Sequence, residues 1–190
     1  MVDRYNTFNE LAANEQLGVD YLVRVNDRGT PSVILAPHGG RIEPGTSEIA
    51  EVIAGTDLSF YAFEALKTGA HGDLHITSHN FDEPKAISLV SRSWTAVAIH
   101  GRRNDGKSSV WVGGRASGLR DAIVAELRSA GFEAEYNERL PGLDRANICN
   151  QTLSGEGVQL EIPRSLRRRL VAEADLLQAF RKAIRKAIAG

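Results

Sequence analysis

The chain has 190 residues, 42% of them hydrophobic and 25% charged, enough to bury a sizeable core within a single domain, 1–190. Twenty-three Lys and Arg against 24 Asp and Glu leave a net charge of −1, so no global field draws the chain to nucleic acid or to a membrane surface. One cysteine, Cys149, rules out an internal disulfide, no apolar run approaches a membrane span, and the polar start "MVDRYNTFNELAANEQ" is unlike a signal peptide. The expectation is a monomer that is cytoplasmic at synthesis.

Residues 6–14 read as a short helix behind Asn6 or Thr7. "YLVRV" (21–25) alternates like a strand, and "SVILA" (32–36) suits a strand buried on both faces. "TSEIAEVIA" (46–54) has a Ser/Thr cap, Ile49 and Ile53 at helical spacing, and Gly55 as C-cap. "LSFYAFEAL" (58–66) fits strand or helix. "LHIT" (74–77), "WTAVAIH" (94–100) and "VWVGG" (110–114) are strand candidates. "SGLRDAIVAELRSAG" (117–131) is a helix capped by Ser117 and stopped by Gly131, with Leu119, Ile123 and Leu127 on one face. "FEAEYN" (132–137) alternates, "GVQLEIP" (157–163) is a strand ended by proline, and 172–189 is a helix with Leu176, Phe180, Ile184 and Ile188 in line. Interleaved strands and helices predict an α/β, three-layer sandwich around a mixed, mainly parallel sheet.

In such sheets ligands sit beyond the carboxyl ends of the strands. Three strands here end in reactive residues: His38, His100 and Glu161. His38 and Glu43 share one loop and can share a zinc ion, with His100 as third ligand and an open fourth position. The competing reading is a turn in which both merely satisfy backbone groups. Glu161, between Leu160 and Ile162, is a candidate general base or half of a buried salt bridge to Arg164 or Arg145. His75 and His79 form a rival metal pair, although structural histidines and an exposed His71 are the plainer expectation.

"GRRNDGKS" (101–108) matches the P-loop pattern, but "SVWVGGRA" follows where a helix must open, so "NDGKS" reads as a hairpin turn. Cys149 reads as a buried small hydrophobe. "RSLRRRL" (164–170) reads as a solvated helix start, with Arg167 to Arg169 in water; a basic rim with Arg102 and Arg103 is the alternative.

"APHGGRIEPGTSEIA", "LHITSHNFDEP", "AIHG", "VWVGG", "LPGLDRANICN" and "GVQLEIP" occur in this order, and with them the chain resembles the poly-γ-glutamate hydrolase family, best known from bacteriophages. The resemblance runs from about Tyr5 to about Arg169. It implies a trimmed zinc carboxypeptidase fold with one Zn2+, the ligands His38, Glu43 and His100, and Glu161 as catalytic carboxylate. Ordinary zinc carboxypeptidases use H-x-x-E, whereas this loop is H-x4-E, so exopeptidase specificity does not carry over.

The reading is a zinc-dependent amide hydrolase that cleaves γ-glutamyl linkages of poly-γ-glutamate, with endo-acting cleavage as the expectation. Arg41, Arg102, Arg145 and Asn147 are the candidates for substrate contact. The partner expected is an anionic polypeptide or acyl-glutamate substrate, with release by lysis for a phage-encoded chain. Alternatives are a zinc amidase acting on another acyl-glutamate or cell-wall peptide, a P-loop nucleotide-binding protein, and a non-catalytic binding module.

Overall fold

The computed structural model describes residues 3–190. Its strands are β1 (Tyr21–Asn26), β2 (Ser32–Gly40), β3 (Ser59–Ala65), β4 (Thr95–Arg102), β5 (Val110–Gly113), β6 (Ala134–Tyr136) and β7 (Val158–Pro163). They form one sheet in the order β1-β3-β2-β4-β7-β5-β6. The central four, β3, β2, β4 and β7, run parallel; β1 is antiparallel to β3, and β5 is antiparallel to β7. The mixed, mainly parallel α/β sheet is the one expected.

Strand periodicity of two splits the apolar residues into two cores. Ile34, Val97, Ile99 and Leu160 face α2 (Thr46–Ala54), α5 (Ser117–Ser129), α6 (Arg164–Ala172) and α7 (Ala174–Ala189). Val33, Leu35, Ala96 and Ala98 face α1 (Phe8–Asn14), α3 (Ala70–Asp73) and α4 (Pro84–Val90). Cys149 is buried in this second core, as expected.

Several local expectations need correction. "LHIT" is not a strand: the Thr77 N–H goes to Asp3 Oδ2 (2.6 Å) and the Ile76 carbonyl to His38 Nε2 (2.7 Å), so side chains take the bonds a ladder would need. Helix α2 is capped by Gly45, with Thr46 already inside it, and Ala116 rather than Ser117 caps α5. Helix α4 has no counterpart in the periodicity, though Pro84 in its first turn and the Glu83 cap on the Ala86 N–H (2.9 Å) mark its start. "NDGKS" is no hairpin turn, because β7 lies between β4 and β5. It is a loop that crosses the end of β7, and no helix follows it.

Candidate metal centre

Three side chains reach the α1/α4 face of the sheet from three parallel strands or their exits. On β4, His100 continues the parity of Ala96 and Ala98. On β7, Glu161 points opposite to Leu160 and Ile162, and it stands directly across from His100 in the β4–β7 register. By simple alternation His38 would join Ile34 and Ala36 on the other face. The β2–β3 register shifts between Ala36 and Gly39: β2 advances from Ala36 to Gly39 while β3 advances only from Ala62 to Glu64. One extra residue inverts the parity and turns His38 toward His100. The glycines that follow serve the packing rather than a ligand. A Cβ on Gly39 would meet Ser47 Oγ at 1.9 Å, and one on Gly40 the Ala65 carbonyl at 2.4 Å.

Glu43 returns to His38 through a closed loop, in which its N–H donates to the His38 carbonyl (3.0 Å). Its Oε2 accepts the Gly101 N–H at 2.7 Å, which ties the β2 exit to the β4 exit. His38 Nδ1 then lies 3.5 Å from Glu43 Oε1 and 3.2 Å from His100 Nδ1, and His100 Nδ1 lies 3.8 Å from Glu43 Oε2. Ligands ~2.0–2.1 Å from a tetrahedral zinc stand roughly 3.4 Å from one another, so this donor set fits such an ion. The Ile76 carbonyl can only accept, so His38 donates through Nε2, and in its neutral form Nδ1 is left free for a cation.

His75 stacks on His38, with ring centroids 4.1 Å apart. Ligand atoms of His38, Glu43 and His75 also lie within 4.8 Å of one another, so a second possible ligand set shares two members with the first. His75 Nδ1 is engaged at 2.7 Å by Asp3 Oδ1, a partner the sequence did not reveal. His79 is exposed at the cavity rim, outside this cluster, and His71 is half-buried rather than exposed.

Electrostatics follow from this crowding. Burial pulls the His38 pKa down, but the Glu43 carboxylate outweighs it and the net direction is up. Burial and the neighbouring His38 charge push His100 down to about 3, since two imidazoles in contact are not both cationic. Burial opposes ionisation of Glu43, yet His38, His100 and the Gly101 N–H bring its carboxyl down to about 2. Burial first, and the charge of Glu43 second, push Glu161 up to about 8.

These residues line a cavity of about 450 Å³ whose far wall is the 139–144 loop. Asn147 lines it too, but its Nδ2 donates to Gln159 Oε1 (2.8 Å) and its Oδ1 accepts the Cys149 N–H (3.2 Å). Arg102 is buried at the edge, its guanidinium stacked on Trp111 (3.9 Å) and paired with Asp105 (2.8 Å). Arg145 is exposed and does not line this cavity, whereas Arg139 does; Arg41 is exposed beside a neighbouring cavity.

The family model for poly-gamma-glutamate hydrolase matches residues 5–186. The chain belongs to the poly-γ-glutamate hydrolase family. Among curated relatives, the SPbeta prophage-derived UPF0714 protein YoqZ of Bacillus subtilis (strain 168) is 40% identical over 171 residues, 88% of this chain and 61% of YoqZ. The chain thus spans less than two thirds of that relative's length. A bacteriophage poly-gamma-glutamate hydrolase structure superposes at a TM-score of 0.92 with 34% identity, covering 99% of this chain and 97% of the other. A zinc-free YndL structure also gives 0.92, with 31% identity over 100% of this chain and 98% of that one. The poly-γ-glutamate hydrolase fold and its family of hydrolases are therefore the setting in which the His38–Glu43–His100 cluster is to be understood.

Proposed function

We propose that the chain is a zinc-dependent amide hydrolase that cuts γ-glutamyl linkages inside poly-γ-glutamate chains. The observation that carries this reading is the tight triangle of His38 Nδ1, His100 Nδ1 and the Glu43 carboxylate, with Glu161 across from His100 on the same cavity wall. His38, Glu43 and His100 would hold the ion. When bound, zinc supplies Lewis acidity, which polarises a scissile carbonyl and makes water acidic near neutral pH.

The protein's own groups supply the remaining steps. Glu161 takes the proton of the attacking water and returns it to the leaving amine. Gln159 Nε2, 3.3 Å from Glu161 Oε1, orients that carboxylate. The Gly101 N–H holds Glu43 toward the two histidines. The zinc-free YndL structure supports the choice of metal, and the bacteriophage hydrolase supports the choice of linkage.

The test is incubation of the purified protein with long poly-γ-glutamate, with product size followed by gel filtration. A steady fall in chain length supports internal cleavage. Release of single glutamates from the outset would reject the endo-acting part, and an unchanged polymer would reject the substrate.

A further inference from the structure

A second cavity, of about 270 Å³, adjoins the first and shares Glu43, Gly101 and Arg102 with it. Its other walls carry Arg41, Arg103, Arg164 and Arg167. Arg167 departs most from its expected place: instead of standing in water it is only 4% exposed. Its Nε and Nη1 are sealed from solvent and have no hydrogen-bond partner among the described residues. Glu43 and Glu161 act on its charge only through space. A buried cation with orphaned donors is strongly disfavoured unless an anion completes it.

The fold makes room for this guanidinium. A Cβ on Gly101 would stand 1.3 Å from Arg167 Nη1, so the missing side chain after His100 lets the fork lie against the β4 backbone. That same Gly101 donates its N–H to Glu43. Arg102 does not compete for the role, because its Nη2 donates to the Ser109 carbonyl (2.7 Å) and its Nη1 to the Arg103 carbonyl (3.1 Å). His71, whose Nδ1 is also buried and without a partner among the described residues, lines the same cavity.

We propose that this second cavity is a carboxylate subsite, in which Arg167 anchors a free carboxylate of the substrate residue beside the scissile amide. The inference rests on the hydrolase reading and deepens it. A γ-linked glutamate chain carries one free carboxylate a few bonds from every amide. A planar guanidinium fork matches a carboxylate through two parallel hydrogen bonds. The shared wall of Glu43 and Gly101 sets the subsite next to the reacting bond. The competing role for Arg167 is to balance the charges of Glu43 and Glu161 with no substrate contact.

The experiment compares wild type with Arg167→Met and Arg167→Lys, each checked by circular dichroism and metal content. KM and kcat are measured on poly-γ-glutamate and on the same polymer with its carboxylates amidated. Glutarate binding is measured by calorimetry, independently of turnover. Arg167→Met is expected to raise KM for the charged polymer by about 10- to 100-fold, the range for a lost charged hydrogen-bond pair, and to lose glutarate binding. The amidated polymer should not distinguish it from wild type. Arg167→Lys keeps the charge without the fork and covers the case in which Arg167→Met does not fold; it should also bind glutarate more weakly. Wild-type KM and glutarate affinity in a folded variant would overturn the subsite, as would equal losses on charged and amidated polymer. If wild type leaves poly-γ-glutamate intact yet binds glutarate through Arg167, the polymer reading fails while the carboxylate subsite stands.

Discussion

The Nδ1 atoms of His38 and His100 lie 3.2 Å apart, although 62 positions separate the two residues in the chain. Two bare nitrogen lone pairs at that distance repel unless a proton or a cation lies between them. Because a neutral His38 spends its proton on the Ile76 carbonyl, either a proton on His100 Nδ1 or a cation must lie between them, and the proposed zinc is such a cation.

His38→Ala and His100→Ala are each expected to lose most bound zinc and remain folded. His75→Ala should keep it, since the Nδ1 of His75 is engaged by Asp3. Metal stoichiometry beside circular dichroism checks all three. Full zinc retention in His100→Ala with loss in His75→Ala would exchange their roles.

Glu161→Gln should retain the metal and lower kcat by about 10²–10⁴, the range for a missing general base. The amide is nearly isosteric but cannot accept the proton. Steady-state kinetics with a metal assay decide it, and a near-normal kcat would leave Glu161 a structural role only.

The same variant reports on pH. The Glu161 carboxyl is pushed from 4.5 to about 8, chiefly by burial. A raised acid pKa means that the folded state keeps a proton the unfolded state releases, so this group's contribution to stability falls as pH rises from about 4.5 to about 8. Metal-free Glu161→Gln should therefore exceed metal-free wild type in stability near pH 8, by up to a few kcal/mol, and match it near pH 4. Denaturant titrations at several pH values measure the gap. Equal stability at both ends would contradict the buried, disfavoured carboxylate.

Lys107→Ala should leave turnover and stability nearly unchanged, because Lys107 is exposed on the loop that crosses β7. Nucleotide binding by wild type that is lost in this variant would contradict that placement.

Much of this site was legible in the sequence because strand parity is a local property. Ala98 to His100 on β4 and Leu160 to Glu161 on β7 follow the period of two directly. His38 was placed at a strand exit, but the face it points to was not legible: the extra residue near Pro37 inverts it. A proline inside an apolar strand, lacking its N–H, was the available signal for a bulge. Arg167 was hidden by its neighbours. Three consecutive arginines look alike, and only the inward positions Leu166 and Leu170 of α6 mark which of them turns inside. The Asp3–His75 contact joins residues 72 positions apart and left no local trace.

The most direct test of the account is cleavage of poly-γ-glutamate by the purified protein before chelation, after chelation, and after one equivalent of zinc is restored. The account predicts that shortening of the polymer stops on chelation and returns with zinc in wild type but not in His38→Ala or His100→Ala. Undiminished cleavage by protein shown to contain no metal would contradict it.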